Sequence, residues 1–425
     1  MTELSVAERR VLAALDVPRM VASLVELVQV PSVTGTDAES ELQHHQAGSL
    51  ADLGFDVDEW ELDLDALRAD PDFPGTEAAR TEGYGVAATY GDGGVPALAL
   101  QGHVDVVPTG DLDKWHDRDP FSGRVVGDVL HGRGACDMKA GVAANLAVAR
   151  AIVSSGVRLE RAFALHAVVS EEDGGLGAFA TMRRGHTADA AVITEPTSGA
   201  VVTANAGALT FAIEVPGRAA HGSTRLEGVS AFEAFLPLHY ALAELERERN
   251  SSLDPLFVGN RLPYPISVGR VTTGDWASSV PDLLLAEGRL GVQLGEDPAD
   301  ARCALESALD AAARADPWLR DHPPTVTWPG GQFASGRLDD RDPLIGEVLG
   351  AIATVEGGRS ADVRAAPYGS DLRLYTGLGG IPTLHYGPGD VRFAHAPREQ
   401  VNLGELEAVA RALALLVARR CGAHL

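Results

Sequence analysis

Cysteine is scarce in this chain: Cys136, Cys303 and Cys421 are the only three among 425 residues. An odd number at wide spacing argues against a disulfide framework. Lysine is scarcer still, with only Lys114 and Lys139, so arginine carries nearly all the positive charge. No apolar run is long enough to cross a membrane. The N-terminal residues lack the basic-then-apolar order of a signal peptide. Neither a Gly-x-Ser-x-Gly elbow nor a Gly-x-Gly-x-x-Gly or P-loop segment occurs, which leaves serine-hydrolase and nucleotide chemistry without support. Internal repeats and low-complexity tracts are absent too. These absences predict a cytoplasmic protein with no membrane partner.

The net charge is −25 with an isoelectric point near 4.8. Such a surface repels phosphates and argues against a nucleic-acid partner. The hydrophobic fraction of 45% is ordinary for a globular protein, and the length suits about two domains.

What is present is a series of histidine- and carboxylate-bearing segments, each closing an apolar run. Val95 to Leu100 leads into Gln101-Gly102-His103, and Asp105 follows. Arg161 to Ser170 reads as a strand ending on Glu171-Glu172-Asp173. Ala190 to Thr194 ends on Glu195. Continuous apolar runs of this length suit strands buried on both faces. Helix-period segments, Gly141 to Ser154 and Gly175 to Arg184, lie between them. Strands alternating with helices predict an α/β fold with a mainly parallel sheet, where ligands gather at the carboxyl ends of strands. Three candidate ligands at three such ends predict one shared site.

Past Glu195-Pro196 the pattern changes. Ser5 to Val30, before it, reads as helix, and Leu62 to Glu82 as an irregular insertion. After it come strand-like Leu209 to Val215, a helix Val229 to Glu248, extended Pro265 to Val271 and Asp282 to Leu294, a helix Pro298 to Asp316 and extended Thr325 to Trp328. That order suggests a helix-covered α+β unit. Pro382 to Tyr386 then reads as strand and Leu403 to Arg420 as helix, with His395 on the loop between them. If His395 joins the other ligands, residues 1–207 and 332–425 form one domain and 208–331 an insertion.

Two imidazoles and several carboxylates are enough to hold two divalent ions side by side. Such ions lower the pKa of a water and polarise a carbonyl oxygen, which serves hydrolysis. Asp137, short and set after the turn Gly132-Arg133-Gly134, suits a bridging role. Asp105 can accept the second N–H of the His103 imidazole. Glu171 and Glu172 are adjacent and so diverge, one to bind metal and the other to act as general base. A set of His, Asp and Glu fits zinc, with cobalt or manganese as alternatives, and has no need of a Cys136 thiolate.

Gly102-His103-Val-Asp105-Val-Val-Pro108, Gly132-Arg-Gly-Ala-Cys-Asp137-Met-Lys139-Ala-Gly141, Ser170-Glu-Glu-Asp-Gly-Gly175 and Thr194-Glu195-Pro196 together resemble the signatures of the co-catalytic metallopeptidase and deacylase family. That family includes acetylornithine deacetylase, succinyl-diaminopimelate desuccinylase, aminoacylases and glutamate carboxypeptidase. The resemblance runs over nearly the whole chain. It implies a zinc-peptidase-like catalytic domain, an inserted lid domain that often dimerises, and a cis peptide bond from Asp137 to Met138. It implies His103, Asp137 and Glu195 on one metal ion, and Asp137, Glu172 and His395 on the other. Glu171 takes the base role and Asp105 the orienting role. Gly217-Arg-Ala-Ala-His221-Gly-Ser223 resembles the segment whose histidine binds the developing oxyanion, across the subunit interface in dimeric members. Gly369-Ser370-Asp371 resembles a loop near the substrate carboxylate.

The chain departs from the family twice. Ser278-Ser279-Val280-Pro281 stands where many relatives have Asn before x-x-Pro, and Arg289 lies about two residues before the usual lid arginine. Both bear on substrate contacts and not on metal chemistry. A non-catalytic metal- or peptide-binding protein on the same fold would lack a ligand or the base, and here none is missing. The enzyme expected is therefore an amidohydrolase acting on a small N-acyl amino acid, N-acetylornithine-like, since the acidic surface favours a cationic side chain. A succinyl-diaminopimelate desuccinylase, and a dipeptidase or carboxypeptidase, are the alternatives. A homodimer through the lid is expected.

Overall fold

The computed structural model describes residues 4–425. Its contacts divide the chain into two compact units. The first takes in the chain through Ala204, then Arg337–Arg364 and Ser370–Leu425. The second comprises Asn205–Gly336 and Ala365–Gly369. The insertion thus begins and ends outside the limits expected from sequence. Gly207 and Ala208 already belong to the long strand Gly207–Pro216, and Phe333 pairs with Ala208 at its start.

The principal sheet of the first unit runs in the order Asp56–Glu61, Tyr84–Tyr90, Phe163–Val168, Leu98–His103, Ala191–Ile193, Thr383–His385 and Val201–Asn205. The four strands from Phe163–Val168 to Thr383–His385 are parallel to one another, and the flanking pairs are antiparallel. Alternation along these strands supplies both faces of the sheet. Leu98, Leu100, Leu165 and Val192 enter one cluster with the helices Lys139–Ser154 and Leu403–Arg420. Ala99, Ala164, Ala191 and Ile193 enter another, with the helix Leu176–Arg184 and Leu372, Tyr375 and Ile381. Burial on both faces explains why these runs read as continuously apolar.

Helix Lys139–Ser154 lies tight on the strand ends. A Cβ on Gly141 would fall 2.2 Å from the Thr194 carbonyl oxygen, so glycine is required there. Lys139, fully buried, donates to the carbonyls of Leu27 at 2.9 Å and Val30 at 2.8 Å. It thereby ties itself to the end of helix Val17–Gln29, where the Leu27 carbonyl also accepts the Val30 N–H. The expected helix Ser5 to Val30 is in fact two, Val6–Ala13 and Val17–Gln29. Asp16 caps the second through the Arg19 N–H, with Pro18 in its first turn.

In the second unit the strands Ile266–Thr273, Leu283–Val292, Gly207–Pro216 and Thr325–Thr327 form an antiparallel sheet in that order. Leu209, Phe211, Ile213 and Val215 alternate onto one face with Leu284, Ala286, Leu290 and Val292. The helices Ala231–Arg249 and Pro298–Ala315 cover that face. Pro237 lies inside the first of these helices, where a proline costs about 3 kcal/mol or more. Burial of Phe235, Leu238, Leu242 and Leu245, each worth roughly 1.5–3 kcal/mol, outweighs it.

Candidate metal centre

Every expected metal ligand belongs to the first unit, and the parallel strands deliver most of them. His103 is the last residue of Leu98–His103, and Glu195 follows Ala191–Ile193 by two residues. Glu171 and Glu172 follow Phe163–Val168 through Ser170, which adopts a positive φ of 62°. Asp137 ends the turn before helix Lys139–Ser154, and its bond to Met138 is cis, as the resemblance implies. His395 lies on the loop after Val391–Phe393.

These side chains converge. His103 Nε2 lies 3.2 Å from Asp137 Oδ1 and 3.9 Å from Glu195 Oε1. His395 Nε2 lies 3.0 Å from Glu172 Oε2 and 3.6 Å from Asp137 Oδ2. Asp137 therefore offers one oxygen to each imidazole. Glu171 and Glu172 diverge as adjacency requires. Donor atoms of Glu171 group with those of His103 and Glu195, and those of Glu172 with His103 and Asp137, each group within 4.8 Å.

The donor set fits divalent cations on two counts. Ligand atoms bound tetrahedrally at about 2.0–2.1 Å stand roughly 3.3 Å apart, and the separations here scatter about that value. The charge balance points the same way. Glu171, Glu172 and Glu195 are each driven upward in pKa, by burial first and then by neighbouring carboxylates. His395 is raised to about 9, chiefly by the charge of Glu172. So much buried negative charge is tolerated only when paired or bound to metal.

Asp105 orients the site differently from the sequence expectation. The Nδ1–H of His103 donates to the Asp105 main-chain carbonyl at 3.0 Å, while the carboxylate stands 3.5 Å away. That bond leaves Nε2 as the basic nitrogen turned to the ligand cluster. The Asp105 carboxylate instead accepts the N–H groups of Glu171 and Glu172, each at 3.2 Å, and the Thr34 hydroxyl at 3.0 Å. Asp105 thus fixes the turn that carries Glu171 and Glu172. The Cys136 thiol donates to the Asp390 carbonyl at 3.2 Å, and burial pushes its pKa well up.

Three further carboxylates serve the site and were not foreseen. Asp173 accepts the N–H groups of Glu77 and Ala78 and the Ser170 hydroxyl. Glu39, buried against Arg80, accepts the Ser170 N–H at 3.2 Å. Glu399 accepts the Cys136 and Asp137 N–H groups. Asp173 lies inside the recognised Ser170–Gly175 motif, where only its role was unread, and Glu399 lies four residues after His395. Glu39 has no such signal.

Ser370 is buried, with its hydroxyl 3.0 Å from His385 Nε2 and accepting the Leu372 N–H. His221 and Arg289 belong to the second unit. Arg289 is exposed on strand Leu283–Val292, opposite Thr210 and Ser267. His221, also exposed, accepts the Ser223 N–H at Nδ1. The proton of the neutral ring is therefore on Nε2.

The model of peptidase family M20/M25/M40 matches residues 99–419, well over half of the chain. The chain belongs to that family. M20 enzymes act on amide bonds, and so does this protein. It is 28% identical over 409 residues to the N-formyl-4-amino-5-aminomethyl-2-methylpyrimidine deformylase of Bacillus subtilis, covering 89% of this chain and 88% of that one. It is 27% identical over 403 residues to the acetylornithine deacetylase of Pectobacterium carotovorum, with 91% and 94% covered. Among solved M20-like structures, the dipeptidase Dug1p of Saccharomyces cerevisiae superposes with a TM-score of 0.77 over 98% of each chain, at 15% identity. That likeness concerns the fold. No helix among the described residues is long and apolar enough to cross a membrane.

Proposed function

We propose that this M20 enzyme removes the acyl group from a small N-acyl amino acid, with N-acetylornithine-like compounds as the preferred substrates. The observation that carries the reading is Asp137, one oxygen turned to His103 and the other to His395, with Glu171 beside His103. His103, Asp137 and Glu195 would hold one ion, and Asp137, Glu172 and His395 the other, with zinc the best fit and cobalt or manganese alternatives. When bound, such ions lower the pKa of a water and polarise the scissile carbonyl.

Glu171 takes a proton from the attacking water as its oxygen bonds to the carbonyl carbon. The same carboxyl returns that proton to the amide nitrogen as the C–N bond breaks. The products are the free acid and the amine. The Nε2–H of His221 donates to the developing oxyanion. Ser370, whose hydroxyl is engaged by His385, acts on the substrate carboxylate through the main chain of its loop, and Arg289 through its guanidinium.

We place the protein in the cytoplasm as a homodimer formed through the second unit. Phe232, Leu236 and Tyr240, at i, i+4 and i+8 of helix Ala231–Arg249, are exposed together. Strand Ile266–Thr273 has one outer edge without a partner strand among the described residues. Exposed apolar stripes and open edges are surfaces that association covers.

A second reading is supported by the similarity to a pyrimidine deformylase, which would replace the amino acid by an aminomethylpyrimidine. One screen separates the readings. Cobalt- or zinc-loaded enzyme is assayed on N-acetylornithine, N-succinyl-diaminopimelate, N-formyl amino acids, the N-formyl aminomethylpyrimidine and dipeptides at matched concentrations. The highest kcat/KM is expected on N-acetylornithine. A clear preference for the formyl pyrimidine, the succinyl compound or dipeptides would sink the acetyl reading and leave the amidohydrolase core standing.

A further inference from the structure

Glu399 sits four residues after His395 and is buried, yet it touches the other side of the site. Its Oε1 accepts the main-chain N–H groups of both Cys136 and Asp137 at 3.1 Å. Its Oε2 takes the Arg133 guanidinium, which also donates to the Pro108 carbonyl. The Glu399 carbonyl receives the Gly132 N–H at 3.1 Å, and Gln400–Asn402 pairs antiparallel with Val129–His131. One residue therefore fastens the His395 loop to the turn that presents Asp137.

We infer that Glu399 is a positioning residue that holds the His395 loop against the Asp137 turn, and so sets chiefly the affinity for the ion bound through His395. This inference rests on the two-ion reading above. The two imidazoles are not held alike. His103 ends a buried strand and is locked by its Nδ1 bond. The His395 side chain is 52% exposed, on a loop, at a positive φ of 59°. Loosening Glu399 releases His395 and leaves His103 in place. Residues supporting ligands in this way are typically worth about 10- to 100-fold in metal affinity.

The test is a cobalt(II) titration of demetallated protein, followed by calorimetry and visible absorption, on the natural sequence and on Glu399→Gln. The natural protein is expected to take two ions in two steps. In the variant the tighter step should stay within about threefold, while the weaker falls about 10- to 100-fold with a changed spectrum. Two unchanged steps, or two steps weakened equally as a merely structural role requires, would overturn the inference. Should Glu399→Gln not fold, Glu399→Asp keeps a charge for Arg133 while withdrawing the carboxylate from the two N–H groups, and the same selective loss is expected. A natural protein that binds fewer than two ions would overturn the two-ion reading and this inference with it. Two ions in the natural protein and an unaltered variant would overturn this inference alone.

Discussion

Glu171→Ala is expected to keep both metal ions and to lose about a hundred- to ten-thousandfold in turnover, the range that positioned general bases contribute. The reason lies in how the adjacent glutamates part. Glu172 turns to His395 at 3.0 Å, whereas Glu171 lies with His103 and Glu195. Five ligands remain without Glu171, so metal content should not change. Asp105 continues to hold the turn through the main-chain N–H groups of residues 171 and 172, which the substitution keeps. Metal analysis and turnover measured on one preparation decide the matter. Full activity, or a protein that no longer retains metal, would exchange the roles of the two glutamates.

A comparable loss is expected at His221. Removing one oxyanion donor typically costs about a hundred- to a thousandfold in turnover. His221→Ala should therefore be slow with unchanged metal content. The Ser223 N–H fixes the His221 tautomer with its proton on Nε2, the form able to donate. Mixing the His221→Ala and Glu171→Ala variants tests whether the donor crosses between subunits. A dimer that pairs an intact His221 with the intact site of its partner should recover part of the activity. An enzyme that is monomeric at assay concentration points instead to delivery from the same chain, and normal turnover in His221→Ala removes the residue from the mechanism.

Three of the candidate site residues were legible in the sequence because each closes an apolar run, and parallel strands bring their carboxyl ends together. His103, Glu171 and Glu195 could be placed that way, and the helix Leu403–Arg420 was read to the residue. The helix Asp37–Asp52 was not, because its buried face is largely polar. Glu39, Ser40, Gln43 and Gln46 all point inward, and Gln43 donates to the carbonyls of Tyr84 and Ala167. A helix that buries amides in place of leucines shows no apolar period.

The supporting residues were hidden for a related reason. Asp105 lies in a recognised motif, yet its carboxylate serves N–H groups in another motif, a pairing fixed only when the strands assemble. Glu399 meets Asp137 through main-chain atoms, which leave no trace in side-chain pattern. Ser370 was placed near the substrate carboxylate only by the resemblance of its loop, and the engagement of its hydroxyl by His385 shows only in the fold.

The central claim is that two ions share Asp137. Anomalous diffraction from crystals of the zinc-loaded enzyme tests it most directly. The account predicts two peaks about 3.5–4 Å apart, on either side of the Asp137 carboxylate. One should be bound by His103 and Glu195 and the other by Glu172 and His395. A single peak, or a second one held by residues outside this set, would contradict it.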